Sequence, residues 1–312
     1  MKVCITGANG FVGKSLTQLL VKHQYSLLLA TRSEESNPLG SSFTFDLANV
    51  ENLYSSLVGC DVVVHLAAHV HQMNNCSQHS ENEYFKFNTQ ASVDLMNQAI
   101  LAGVKRFIYV SSVKVFGESS PLHHPFTEKD VCSPKDAYGL SKLKAEAALL
   151  NIAKKSAIEV VIIRPPLVYG KGVKANFASL LKLVKYGIPL PFGAVSNKRS
   201  LIYVGNLAHF IMHCLTHPAA KNEVFSISDD HDVSTAYLIQ EIARALNVSN
   251  RNFNFPEKWL FRIAQIFGKQ KQMMRLCGNL RVDISKAKNL IGWQPPFTLA
   301  ESLKHTVEDH VS

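Results

Sequence analysis

The chain has 312 residues, of which 46% are hydrophobic and 18% charged, and 33 Lys and Arg against 24 Asp and Glu give a formal charge of +9. This composition excludes a disordered chain and a small scaffold held by disulfides or metal, and the length suits one large domain or two ordinary ones. The positive excess leaves three kinds of partner open: nucleic acid, an anionic membrane, or an anionic small molecule.

In chain order, the first half alternates strand and helix patterns. Val3-Cys4-Ile5 predicts a short buried strand, and Lys14 to His23 predicts a helix. Leu27 to Ala30, Phe43-Thr44-Phe45, Asp61 to His65, Phe107 to Val110 and Glu159 to Ile163 predict further strands. Helical patterns cover roughly 81–102 and 138–155. Continuous apolar strands separated by helices predict an α/β fold, a parallel sheet covered on both faces, with ligands at the carboxyl ends of the strands. Beyond Gly170 come a helix near 177–187 and a turn-rich stretch from Gly187 to Gly193. Ser200 to Val204, a helix near 206–216 and Val224 to Ile227 are expected to return to the sheet. The remainder reads as mostly helical.

Counted by segment, the charge is −1 over residues 1–150, +8 over 151–200, −3 over 201–250 and +5 over 251–312. No run of five consecutive Lys or Arg exists, which argues against a nucleic-acid arm and for a local anionic ligand. Cys4, Cys60, Cys76, Cys132, Cys214 and Cys277 form no C-x-x-C pair and read as free thiols in a reducing compartment. Met1-Lys2 precedes only three strand residues before a Gly-rich turn, so no secretory signal is read, and no 18-residue apolar run suggests stable membrane insertion. The expectation is a cytoplasmic protein. The segment Trp259 to Phe267 places Trp259, Ile263 and Ile266 on one helical face, with Leu260 and Phe267 beside it and Lys269 and Lys271 after it. Packing on the body of the protein or on another subunit is expected there; docking on a membrane surface is the alternative.

Thr6-Gly7-Ala8-Asn9-Gly10-Phe11-Val12-Gly13 follows a strand and opens a helix. Gly7 permits the tight turn, Gly10 lets backbone approach a pyrophosphate, and Gly13 lets helix and sheet pack closely. The helix N-terminus then offers free N–H groups to phosphates, so a dinucleotide site is expected. At the end of the second strand, where an NAD site places an acid, this chain has Thr31-Arg32-Ser33. Arg32 could pair with a 2′-phosphate, which slightly favours NADP(H); the alternative is an exposed Arg with NAD(H) bound. Asp46-Leu47 follows the third strand and is read as an adenine contact or as an ordinary loop acid.

Tyr138-Gly139-Leu140-Ser141-Lys142 puts Tyr138 and Lys142 on one helical face, where an ammonium would favour a phenolate. Ser111-Ser112 lies at the carboxyl end of the fifth strand, where a hydroxyl could bond a substrate oxygen. With His65-Leu66-Ala67-Ala68 and the Gly motif, these segments resemble the extended short-chain dehydrogenase/reductases, the nucleotide-sugar epimerases, dehydratases and reductases. The resemblance covers essentially the whole chain. It implies a Rossmann-type doubly wound parallel sheet with a smaller, mostly helical C-terminal substrate lobe. The division it suggests is an NAD(P)-binding domain of residues 1–170 plus about 200–228, and a nucleotide-sugar lobe of 171–199 plus about 229–312.

The resemblance implies Tyr138 as catalytic acid/base, Lys142 on the nicotinamide ribose lowering the Tyr138 pKa, and Ser112 polarising the reacting sugar oxygen, with Ser111 the competing hydroxyl. Both Tyr138 and Lys142 would also touch the cofactor. Leu66, Ala67 and Ala68 would line its pyrophosphate side. Arg164-Pro165-Pro166-Leu167-Val168 matches the segment along the nicotinamide, of which Pro165, Leu167 and Val168 would make contact. For the substrate, Asn176 and Phe177 match a phosphate-contacting segment, and Pro191, Phe192 and Gly193 a wall for the nucleotide base. Arg199 matches a diphosphate-binding Arg, with Arg275 the expected second. His71, Met73 and Lys114 would face the sugar, or, for His71 and Met73, lie in a loop without ligand. Where the dehydratases carry Asp-Glu after the hydroxyl residue, this chain has Val113-Lys114, which disfavours dehydration. The implied activity is oxidoreduction at C4 of a UDP-sugar, leaning to an NADPH-dependent reductase of a UDP-4-keto-6-deoxy sugar, with a UDP-sugar 4-epimerase as the alternative. A non-catalytic NADP-binding regulator is more remote, because the Ser/Tyr/Lys set is intact. A homodimer through the helices near 81–102 and 138–155 is expected, and no metal.

Overall fold

The computed structural model of the protein describes residues 1–32, 38–50, 52–69 and 78–311. In order come β1 (Lys2–Thr6), α1 (Phe11–Lys22), β2 (Ser26–Thr31), β3 (Ser41–Thr44), α2 (Tyr54–Leu57) and β4 (Val62–His65). Then follow α3 (Gln78–Tyr84), a π-helical turn (Phe85–Gln90), α4 (Ala91–Leu101), β5 (Arg106–Val110), α5 (Ala137–Ala153), β6 (Glu159–Arg164), β7 (Leu167–Tyr169) and α6 (Ala175–Lys185). The rest is β8 (Leu201–Tyr203), α7 (Val204–Cys214), β9 (Glu223–Ser226), α8 (Thr235–Ala245), α9 (Glu257–Ile266), α10 (Gln270–Cys277), α11 (Ser285–Ile291) and α12 (Leu299–Val311).

Seven parallel strands form the main sheet in the order β3-β2-β1-β4-β5-β6-β9. The order reverses between β1 and β4, which opens a crevice at their carboxyl ends. Val3, Ile5 and Val64 face one apolar layer with Leu16 and Leu20 of α1 and Phe210 and Ile211 of α7. Cys4, Val63 and Phe107 face the other, with Leu95 and Met96 of α4 and Leu149 of α5. The strands read as continuous apolar runs because both faces are covered. A third apolar cluster joins α6, α8 and α12 through Leu181, Ile242 and Leu303.

The structure departs from expectation in three places. Ser200 to Val204 does not rejoin the main sheet; β8 pairs in parallel with β7, Val168 opposite Ile202. Pro165 and Pro166 end β6 because neither carries an N–H to extend the ladder, and the chain leaves the sheet as the short β7. The expected helix over 81–102 is interrupted by the π-helical turn, whose Asn88 and Thr89 are buried. And of the face expected to pack on the body of the protein or on another subunit, the body of this chain buries Leu260 and Ala264 of α9, while Trp259, Ile263, Ile266 and Phe267 are exposed in it.

Candidate functional site

The crevice between β1 and β4 is shaped by glycines. Gly7 has φ +72°, and a Cβ there would lie 2.9 Å from the Ala67 nitrogen. A Cβ on Gly13 would fall 2.1 Å from the Gly7 carbonyl oxygen. Gly10, the N-cap of α1, supplies no side-chain cap, and no acid stands in the first turn. The first N–H groups of α1, from Phe11 onward, therefore have no side-chain acceptor and face the crevice with the positive end of the helix. That cradle fits a pyrophosphate and would be filled by any side chain.

A buried hydrogen-bond chain that sequence reasoning missed fixes the opposite wall. Ser92 Oγ donates to the Asn88 carbonyl at 2.7 Å, so it accepts from His65 Nε2 at 2.9 Å. His65 Nδ1 then accepts from Thr6 Oγ1 at 2.7 Å, and Thr6 Oγ1 accepts from the Ala67 amide at 3.2 Å. Burial holds His65 neutral, with its pKa lowered to about 3, as this chain requires. Asn88 extends the network to the His69 backbone and to Ser141 of α5. It thereby positions Leu66, Ala67 and Ala68 beside the glycines. His65 was visible in its motif; Asn88 and Ser92 carry no local signal. Arg32 is exposed at the end of β2, and Asp46 is exposed with its carboxylate accepting from the Ala48 amide at 2.9 Å. Leu47 beside it is half-buried.

The catalytic candidates come together. Ser112 Oγ caps the short turn Val113–Val115 by accepting from the Lys114 amide at 3.2 Å. Asp136 caps α5 by accepting from the Gly139 amide at 2.7 Å, which places Tyr138 in its first turn. Burial pushes the Tyr138 phenol well above its ordinary 10; Asp136 and Tyr84 add to this, and a hydrogen bond with Ser112 opposes it. Lys142, one turn on, donates from Nζ to the Val110 carbonyl at 2.9 Å and lies 4.5 Å from the Tyr109 ring centroid. Burial lowers its pKa to about 7, partly offset by Glu146. Desolvation thus dominates both groups in the cofactor-free protein and pushes each toward its neutral form. Ser111 Oγ is buried without a partner among the described residues, whereas Ser112 faces the cavity.

That cavity, of about 480 Å³, runs from the carboxyl edge of the sheet into the helical lobe. It is lined by Ser112, Lys114 and Tyr138, by Pro166, Leu167 and Val168, and by Asn176, Phe177, Arg199 and Arg275. Pro165 lies behind, its carbonyl accepting from the Val113 amide at 2.9 Å. Arg199 Nη1 donates to the Gly278 carbonyl at 3.0 Å, and Arg275 Nε stands 3.7 Å from Glu118. Lys114 is held by Glu118 at 3.2 Å and by Asp136. Burial raises the Asp136 pKa, but the Lys114 and Gly139 hydrogen bonds outweigh it and keep the carboxylate low. Pro191, Phe192 and Gly193 do not line the cavity. Phe192 packs in the lobe core, its amide donating to Asn252 Oδ1 at 3.0 Å, and the Gly193 amide donates to the Phe253 carbonyl at 2.9 Å. His71 and Met73 fall outside the described residues. A larger hollow of about 760 Å³ sits at the amino ends of β4 and β5, the edge of a parallel sheet that does not hold ligands.

Comparison with known proteins follows this geometry. The profile of the NAD dependent epimerase/dehydratase family matches residues 3–228. The chain is 44% identical over 310 residues to a UDP-glucose 4-epimerase of Vibrio cholerae, covering 98% of this chain and 94% of that one. It is 29% identical to an N-acetyl-alpha-D-glucosaminyl-diphospho-ditrans,octacis-undecaprenol 4-epimerase of Escherichia coli O157:H7, covering 98% and 94%. In fold it is similar to the crystal structure of UDP-N-acetylglucosamine 4-epimerase from Bacillus cereus, with a TM-score of 0.79, 20% identity and 100% and 98% coverage.

Proposed function

The chain belongs to the NAD dependent epimerase/dehydratase family, and on that footing we propose that it is an NAD-dependent UDP-sugar 4-epimerase serving surface-polysaccharide precursors. The observation that carries the reading is one cavity lined both by Ser112 and Tyr138 and by Arg199 and Arg275. The 4-ketoreductase expectation leaned on Arg32, which is exposed at the end of β2. The relative at 44% identity is named an epimerase, and this moves the reading to the alternative.

Asn9, Gly10, Phe11, Val12 and Gly13 would hold the cofactor pyrophosphate, with Gly7 giving it room and Leu66, Ala67, Ala68, Leu167 and Val168 lining its path. When bound, NAD would supply the acceptor and donor of hydride for C4 of the sugar. The protein's own part is proton handling and positioning. Ser112 Oγ would bond O4, and Tyr138 would take the O4 proton on oxidation and give it back on reduction. A phenol pushed upward by burial needs a cation beside it to release that proton at neutral pH, and Lys142 is the cation within reach on the same helix face. Arg199 and Arg275 would clamp the diphosphate with their forked donors. Lys114 bridges Glu118 and Asp136, and Arg275 stands beside Glu118, so the cavity's two carboxylates are held in ion pairs rather than poised to eliminate water.

The test is proton NMR of the purified protein with UDP-glucose or UDP-N-acetylglucosamine and no added reductant. The expected result is the C4-inverted sugar. NADPH consumption on a UDP-4-keto sugar, with no inversion of either substrate, would establish the reductase instead.

A further inference from the structure

α9 and α10 form a helical hairpin joined at Gly268, whose φ is +64°. One side of α9 anchors it, with Leu260 and Ala264 buried in the lobe. The neighbouring side is apolar as well, yet it stays open to solvent in this chain. Trp259 is 53% exposed, Ile263 43%, Ile266 79% and Phe267 70%. The spacing 259, 263, 266 is that of one helical stripe, so these are a continuous face and not scattered exposures. Met274 of α10 is exposed in the same hairpin.

Cations flank this face. Lys258, Arg262, Lys269 and Lys271 are all exposed, and Glu257 is the sole acid from 257 to 275. The Arg262 guanidinium stands 5.1 Å over the Trp259 ring, so charge and apolar surface are presented together. We propose that the α9–α10 hairpin is a docking surface for an anionic phospholipid bilayer. Its Trp, Ile and Phe side chains enter the headgroup–acyl boundary, and the four cations meet lipid phosphates. Charge complementarity selects this occupant. A two-fold contact with a second copy would set the same cations against one another. A neutral protein groove would leave them unpaired.

The docking is peripheral: no helix of the described residues is long and apolar enough to cross a membrane. Arg275 and Leu276, at the end of α10, line the sugar-nucleotide cavity, so the docked hairpin holds that cavity beside the headgroups. The inference stands apart from which sugar is turned over.

Flotation of the full chain with vesicles tests it. The protein is expected to float with phosphatidylcholine vesicles carrying about 30% phosphatidylglycerol, to stay behind with phosphatidylcholine alone, and to be released by salt near ~0.5 M. Ile266→Glu and Phe267→Glu are each expected to cut vesicle binding roughly tenfold or more, and so is the pair Lys269→Glu with Lys271→Glu. All should keep the wild-type turnover of soluble substrate without vesicles, which shows that they fold. Failure of the wild type to float with anionic vesicles would overturn the proposal. So would wild-type flotation by Ile266→Glu. Conversion of a wild-type dimer to a monomer by Ile266→Glu would assign the face to a second copy instead.

Discussion

At the scale of single residues, the site is a contest between burial and charge. Tyr138 and Lys142 are both desolvated, and each is pushed toward its neutral form. Tyr138→Phe removes only the hydroxyl, and turnover should fall about 10³-fold with circular dichroism unchanged; retention of most of the rate would refute the proton assignment. Lys142 has a stability signature of its own. Its folded pKa of about 7 lies below the ordinary 10.5, so between those pH values the unfolded chain binds more protons and stability rises with pH. Below pH 7 the full penalty is present. Lys142→Met should therefore inactivate the enzyme yet raise the stability of the cofactor-free protein near neutrality and flatten its pH dependence above that. Urea unfolding at a series of pH values reads both. Arg199→Lys should raise KM for the UDP-sugar about tenfold or more with a smaller change in kcat, because a point charge does not replace the fork. The Gly motif, Tyr138, Lys142 and Arg199 were legible in the sequence, since each sits in a run whose local pattern declares its place. Asn88, Ser92 and Glu118 were not. Each has a partner far away in the chain, Ser141 for Asn88, His65 for Ser92 and Arg275 for Glu118, and nothing in their own neighbourhoods distinguishes them from surface residues.

At the scale of elements, α5 is the part on which the site depends. Its N-cap, Asp136, sets the first turn, and Glu146 ties it to β6 through a buried pair with Arg164 at 2.6 Å. Arg164 immediately precedes the Pro165-Pro166 segment, so one ion pair fixes both the acid/base helix and the wall of the cavity. Glu146→Gln leaves a buried guanidinium poorly compensated and should cost about 3 kcal/mol, seen as a lower Tm. The double change Glu146→Leu with Arg164→Met should recover much of that loss; a further loss would show that the pair is more than a satisfied burial. Pattern reading located most of the strands, whose two faces are both covered, and the span of α5. It failed at the π-helical turn and at β8. In the first, the extra residue is set by the tertiary bonds of Asn88 and Thr89 to Ser141. In the second, three apolar residues pair equally well with any free edge, and two prolines upstream decided which edge was offered.

At the scale of the whole molecule, the net charge of +9 includes two local groups of cations. Arg199 and Arg275 face the cavity, and Lys258, Arg262, Lys269 and Lys271 face outward beside an apolar stripe. The sequence showed where the positive charge was concentrated but not that the Trp259 stripe would stay uncovered, since an amphipathic pattern does not say which apolar face is inside. The cavity is built from both the sheet and the helical lobe, so a ligand that spans it should couple their stabilities. UDP at about 100 times its Kd should stabilise the protein by about 2.7 kcal/mol, measured as a rise in Tm, and Arg199→Met should erase most of that rise. The central claim is that hydrogen leaves and returns to the same carbon within one active site. The most direct measurement uses UDP-glucose deuterated at C4 and follows the product by NMR. UDP-galactose with deuterium retained at C4 is the predicted result. A product without the label, or no inverted product at all, would contradict the account.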